Sequence, residues 1–246
     1  MKKIVPLLFL LFIIGCKKDL TFKNVHFEQK SKTPNKFDSP KASVTVPFAK
    51  NKTIVADSIN KKVFNVVQSI IYNQEVSKKA ATYDAVLKDF IMEYQKIIAK
   101  NPGDPFGWEA NVTGKIKHLS SQILNIEIEH YSFTGGAHGY QGLRSIVIDP
   151  LTGKNIPNAK LFKNEDAFKK FAEKTFRIQF QIPANSNINS TDLMFEEEKF
   201  QLPQNYFFTD SGLLLYYNTY EIASYAQGPQ ELLLTFKELE PYLALK

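Results

Sequence analysis

The chain has 246 residues, of which 43% are hydrophobic, 23% charged and 13% aromatic, and its formal net charge is +6. That length and composition support a sizeable buried core and exclude a disordered or collagen-like chain. A lone cysteine excludes a disulfide framework, and the one long apolar run, Ile4 to Ile14, excludes a polytopic membrane protein.

The first element is an address. Lys2 and Lys3 form a positive region, Ile4 to Ile14 an apolar one, and Ile13-Ile14-Gly15-Cys16 closes it. The run is much shorter than the ~20 residues of a spanning helix, so it reads as a cleaved secretory signal. Its end resembles a bacterial lipobox, whose cysteine thiol takes a diacylglycerol and becomes the new N-terminus. The expected organisation is a lipoprotein signal peptide over 1–15, a flexible lysine-rich tether over 16–42, and a single domain over 43–246. That domain divides into an N-terminal half, about 43–150, and a C-terminal half, about 151–246. An ordinary signal peptide with an incidental Cys16 is the alternative.

The positive charge collects early. Between Lys17 and Lys62, eleven lysines face only Asp19, Glu28, Asp38 and Asp57, a local charge of +7. With Lys2 and Lys3 set aside, residues 63–246 carry −3. A mildly acidic body with only two arginines, Arg144 and Arg177, argues against nucleic acid as a partner.

Within the domain, Val44, Val46 and Phe48 alternate with polar residues and predict a short strand. Asp57-Ser58 reads as a helix N-cap before Ile59, Val63, Val66, Val67, Ile70 and Ile71 at helical spacing. A second helix follows with Tyr83, Val86, Leu87, Phe90, Ile91, Tyr94, Ile97 and Ile98 on one face, ended by Asn101-Pro102-Gly103. The period then changes to two. Val112, Ile116 and His118 alternate with Thr113, Lys115 and Lys117; Leu124, Ile126, Ile128 and His130 alternate with Asn125, Glu127, Glu129 and Tyr131. A hairpin pairing Lys115 with Glu127 and Ile116 with Ile126 keeps charge opposite charge. It predicts buried Ile126 and Ile128, exposed Glu127 and Glu129, and core positions for His118 and His130. A third strand spans Ser145 to Asp149, and Asn164 caps a third helix. Residues 181–201 read as a long loop, followed by strands at Tyr206–Phe208, Leu213–Tyr217 and Leu232–Phe236 and a short helix from Lys237. The expected fold is α+β: a mostly antiparallel sheet, two N-terminal helices, and one further long helix packed on it.

Two segments stand out chemically. Thr134-Gly135-Gly136-Ala137-His138-Gly139 offers open backbone amides beside a histidine, followed by Tyr140. It is either a ligand site between strands or a wide hairpin connection whose glycines serve the turn. Tyr216 to Tyr225 is dense in tyrosine, which suits recognition or closure of a core. The four histidines do not make a metal set, and no cofactor motif or hydrolase elbow occurs. Glu127 and Glu129, about 7 Å apart by strand geometry, are the one pair with glycosidase-like spacing, on a face expected to be merely solvated. The expected catalytic, metal and cofactor sets are empty.

In order, Tyr131-Ser132-Phe133-Thr134-Gly135-Gly136-Ala137-His138, Ile148-Asp149-Pro150-Leu151-Thr152-Gly153-Lys154 and Leu215-Tyr216-Tyr217-Asn218-Thr219-Tyr220-Glu221-Ile222-Ala223-Ser224-Tyr225-Ala226-Gln227-Gly228-Pro229 resemble the signatures of the PdaC/RsiV-like family. That family consists of the domain of unknown function 3298 with its N-terminal companion 4163, and the likeness runs from about Val44 to Leu245. Thr219 and Ser224 stand where proline is usual, and Gly139 where proline often follows the histidine. The resemblance implies an α+β envelope module without established catalysis. In one branch the module precedes a peptidoglycan deacetylase domain; in another it is the extracellular part of an anti-sigma factor that binds lysozyme. The expectation for this chain is the bare module on a lipid tether in the cell envelope, more at the outer than the inner membrane, and Lys17-Lys18-Asp19 resembles the surface-export signals of some Bacteroidetes lipoproteins. It would bind a wall glycan or an envelope protein such as a lysozyme. The alternatives are an assembly partner of other envelope proteins and a peptidoglycan-active hydrolase. The residues expected at the site are Gly135, Gly136, His138, Tyr140, Tyr220 and Tyr225, with Cys16 as the lipidation site.

Overall fold

Strand β1 (Phe22–Lys30) pairs antiparallel with β2 (Lys41–Ala49), with Phe27 opposite Val44. The computed structural model that shows this describes residues 20–31, 39–51, 54–73, 80–101 and 107–245, so the signal segment and Cys16 lie outside the described residues. β1 corrects the expectation of a flexible tether over 16–42. Phe22, Val25 and Phe27 turn one face inward onto the core, and the Phe27 ring stacks on Tyr83 at 4.9 Å. Lysines at the outer positions suit an edge strand, whose open backbone needs charge to discourage further pairing.

Helices α1 (Ile54–Ile71) and α2 (Tyr83–Lys100) carry the chain from β2 to β3 (Glu109–Leu119), which lies parallel to β2. A helical crossover is what a parallel neighbour requires. α1 begins a turn before Asp57, which therefore sits in the first turn as a dipole partner instead of capping. Thr82 caps α2 by accepting from the Ala85 amide at 3.2 Å.

β3, β4 (Leu124–Phe133) and β5 (Tyr140–Ile148) complete an antiparallel meander, giving a five-stranded sheet in the order β1-β2-β3-β4-β5. The charge-matched register holds: Lys115 faces Glu127 and Ile116 faces Ile126, with an irregularity between Ile116 and His118. Val44, Val46, Val112, Leu124, Ile126, Ile128, Ile146 and Ile148 form a buried core with α1 and α2. Phe48, expected inside, is exposed, because burial along β2 passes to Pro47 and Ala49.

The second lobe holds α3 (Glu165–Gln179), capped by Asn164, and a sheet of β6 (Asn205–Phe208), β7 (Gly212–Tyr217) and β8 (Gln230–Thr235). The short α4 (Phe236–Leu239) follows. Phe168, Phe176, Phe195, Phe200, Tyr217 and Leu232 lie in its core. Residues 181–201 are a long connection with one short helical turn, and Ile182, Ile188 and Leu193 anchor it inward.

This lobe packs over the polar face of β4 and β5, and it overturns the expected exposure of Glu127, which is only 5% exposed. Its carboxylate meets Lys115 at 2.7 Å and Lys117 at 3.1 Å. Around it the layers are joined by polar groups. Asn125 Oδ1 accepts from the Phe208 amide at 2.9 Å, and the Ser145 hydroxyl donates to the Tyr206 carbonyl. Glu129 is exposed as expected and accepts from Gln141 Nε2 at 2.9 Å.

Candidate functional site

β5 is the last strand of its sheet, so the N–H and C=O groups on its outer edge need partners. The second lobe supplies side chains instead of a strand. Asn218 Oδ1 accepts from the Leu143 amide at 2.7 Å, while its Nδ2 donates to the Leu143 carbonyl at 3.0 Å. Asn205 Oδ1 accepts from the Ser145 amide at 2.9 Å. An asparagine amide offers the donor–acceptor pair of a peptide group, and Asn218 uses both to copy one residue of a strand.

The turn after Asn218 is fixed from within. The Glu221 amide donates to the Asn218 carbonyl at 2.9 Å, closing a four-residue turn. The Glu221 carboxylate accepts from the Asn218 amide at 2.9 Å and from the Gln204 amide at 3.1 Å. Burial pushes its pKa above the usual carboxylate value, against those hydrogen bonds and the nearby Arg144. Tyr220 occupies the third position with φ of +70°, a left-handed conformation that glycine would take without cost. A bulky aromatic residue, 55% exposed, is thus held in a strained conformation. Thr219 sits at the second position, where a proline would pre-set φ.

The next turn presents Tyr225. Ser224 forms a capping box with Gln227. Tyr225, 43% exposed, stacks on His138 with ring centroids 3.9 Å apart and lies 5.6 Å from Tyr220. The Gly139 carbonyl accepts from His138 Nδ1 at 3.0 Å and from the Tyr225 hydroxyl at 3.4 Å. Gly139 must be small: a Cβ there would lie 2.5 Å from the Tyr131 ring. Gly135 and Gly136 take φ of +106° and +94°, which shapes the loop, and an added Cβ at either would meet open space.

The two sequence motifs therefore meet on one surface, where Tyr220, Tyr225 and His138 form an aromatic strip. Beside it runs an open groove of about 470 Å³ lined by Tyr140, Arg144, Gln204, Asn218, Tyr220 and Glu221, with Ser69 of α1 at one edge. Tyr140 is half-buried, and burial raises its pKa. Behind Tyr140 stands His130, 5% exposed, its ring 5.7 Å from the tyrosine ring and neither nitrogen hydrogen-bonded. Gly142 leaves room for this packing, since a Cβ there would lie 3.0 Å from both Asn218 Oδ1 and His130 Nε2. Sequence reasoning missed Arg144, Asn218, Glu221 and Gly142. The asparagine and the glutamate lay inside the quoted tyrosine-rich signature and were legible there as motif positions.

Other quoted residues are structural. Asp149 accepts from the Leu151 amide and the Thr152 hydroxyl, each at 2.8 Å, and these bonds lower its pKa. The Gly153 carbonyl accepts from Ser58 of α1 at 2.8 Å. Tyr217 is buried and donates to the Gln201 carbonyl at 2.7 Å. A larger cavity of about 590 Å³ opens at the end of β4 away from the Gly135–His138 loop, lined by His118, Ile123, Phe208, Phe236 and Leu243. It is more apolar and shares no residue with either motif.

Fold and site together define an α+β module with two sheets joined through side-chain amides and an aromatic strip displayed at the joint. Residues 35–141 match the family described as Deacetylase PdaC, and residues 159–237 match the one described as Protein of unknown function (DUF3298). The matches follow one another along the chain, which belongs to the PdaC/DUF3298 family. A DUF3298 family member from Bacteroides fragilis NCTC 9343 is 16% identical, with 92% of this chain and 94% of that one covered at a TM-score of 0.69. A DUF3298 family protein from Pseudomonas aeruginosa PAO1 is 19% identical, with 93% and 95% covered at a TM-score of 0.63. At these identities the likeness concerns the fold. No curated protein matches the chain.

Proposed function

We propose that this protein is a lipid-anchored, non-catalytic module of the bacterial cell envelope that binds wall glycan across the Tyr220–Tyr225–His138 strip. The exposed strip beside a polar groove carries the reading. The C–H faces of a sugar ring are weakly positive and lie well on the negative face of an aromatic ring. Polar groups beside the ring can then orient the hydroxyls and amides, which is how ligand sites obtain specificity. The strain at Tyr220 supports the reading, since backbone strain of this kind concentrates at sites where it serves function. Anchoring rests on Ile13-Ile14-Gly15-Cys16, and an acylated Cys16 would keep the module at the membrane, with two or more chains giving stable attachment.

The test is binding of the signal-less chain to purified peptidoglycan sacculi and to chitotetraose. Tyr225→Ala should weaken binding by more than about 1 kcal/mol, as hot-spot truncations do, while the melting temperature moves by under about 3 °C. Unchanged affinity, or a loss that follows unfolding, would overturn the glycan reading. Tight binding of lysozyme with none of glycan would assign the strip to an envelope protein instead. For the anchor, Cys16→Ala should move the protein from the detergent phase to the aqueous phase or leave an uncleaved precursor. Detergent partition equal to wild type would defeat the lipoprotein assignment.

A further inference from the structure

Arginine is scarce here, two residues against 29 lysines, and the two are used differently. Arg177 is fully engaged: it pairs with Glu173 at 2.8 Å and donates to the Pro183 and Ser186 carbonyls at 3.3 and 3.0 Å. Arg144 lines the groove, half-buried, and its guanidinium has no hydrogen-bond or ion-pair partner among the described residues. The other charged residue of the groove is Glu221, which accepts from the Asn218 and Gln204 amides and feels the Arg144 charge without making an ion pair with it. The neighbouring side chains do not fill the fork either: Tyr140 and Asn218 line the same wall, and Asn218 spends its amide on Leu143.

A guanidinium presents five donors in a plane that fits a carboxylate with two parallel bonds. No lysine lines this groove, so Arg144 is its one cation, with Glu221 as its one anion. With Glu221 nearby, one carboxylate charge is easier to accommodate than the nearly two charges of a phosphomonoester.

Resting on the glycan reading above, we propose that the ligand is an acidic saccharide: a sugar face lies on the Tyr220–Tyr225–His138 strip while a carboxylate borne by the sugar pairs with Arg144. His130 behind Tyr140 supports the arrangement. Its ring is buried with both nitrogens unpaired, and the nearby Arg144 charge adds to burial in keeping it neutral. An anion in the groove would offset that guanidinium and alter the field at the imidazole, which gives a spectroscopic readout separate from affinity.

Three probes decide the matter: a hyaluronan tetrasaccharide, the same molecule with its carboxylates reduced to alcohols, and neutral chitotetraose. Wild type should bind the acid at least tenfold more tightly than the reduced form, and the acid alone should shift the His130 ring protons in NMR. Arg144→Gln should bind all three alike, at the affinity of the neutral sugars, and Arg144→Lys should retain part of the preference. Thermal melts establish that both variants are folded. Equal binding of acid and reduced forms by wild type, with the neutral sugar also bound, would overturn the acidic-ligand inference and leave the glycan reading standing. So would a preference that survives Arg144→Gln. Binding of none of the three would overturn the glycan reading itself.

Discussion

His130 is expensive to bury. A ring nitrogen that loses water without gaining a partner costs about 1–3 kcal/mol, and both of its nitrogens lack one. Burial first, and Arg144 second, push its pKa down to about 4. In the unfolded chain it titrates near ~6.5. Between these values the unfolded chain takes up a proton that the folded one resists. Stability present above pH ~6.5 is therefore lost as pH falls towards ~4, with no further loss below. The gap corresponds to about 3 kcal/mol. Denaturant titrations at pH 7 and pH 4 should show wild type losing about 2–3 kcal/mol more than His130→Gln; equal losses would mean that the folded state does not hold this imidazole neutral. Alternation along the strand was enough to place His130 in the interior. Its lack of partners was not legible, because they would have to come from Tyr140, Gly142 and Asn218, up to 88 residues away in sequence.

Strand β4 shows what a period of two can and cannot reveal. Charge pairing picked the register, and Lys115 opposite Glu127 and Ile116 opposite Ile126 are observed. The polar face, however, looked solvated and is covered by the second lobe, so Glu127 is buried beside Asn125 and Ser145. Nothing local to β4 announces that cover, since Asn125, Glu127 and Glu129 at alternate positions fit a wet face equally well. Ile128 has no exposed surface, and Ile128→Ala should cost about 2–4 kcal/mol by leaving a cavity. Glu127→Gln should cost about 1–2 kcal/mol, above the surface-pair range and below that for breaking a fully buried pair. The reason is that Lys115 remains 58% exposed and can turn to water. Urea midpoints would check both, and a Glu127→Gln midpoint equal to wild type would contradict its burial. At the edge strand, Asn218→Ala removes two hydrogen bonds to Leu143 and should cost about 1–3 kcal/mol. Faster hydrogen exchange at the Leu143 amide than in wild type would show that this side chain closes the edge.

For the whole molecule, β1 changes how the domain stands relative to its proposed anchor. Lysine-rich composition concealed the strand, because Phe22, Val25 and Phe27 are too few and too diluted to signal a buried face in a stretch otherwise suited to a stalk. With β1 beginning at Phe22, only residues 17–21 separate Cys16 from the sheet. Six extended steps cover at most about 20 Å, whereas the expected tether to residue 42 would have reached several times further. A glycan ligand would then have to come to the membrane surface. The strand also protects β2: without it, β2 would expose a backbone edge and the Val25 and Phe27 contacts would vanish. A chain beginning at Lys17 should accordingly melt as the intact domain, while one beginning at Lys41 should melt at least about 5 °C lower and self-associate in sedimentation. Equal melting temperatures and two monomers would return residues 22–30 to the role of a stalk and restore the longer reach.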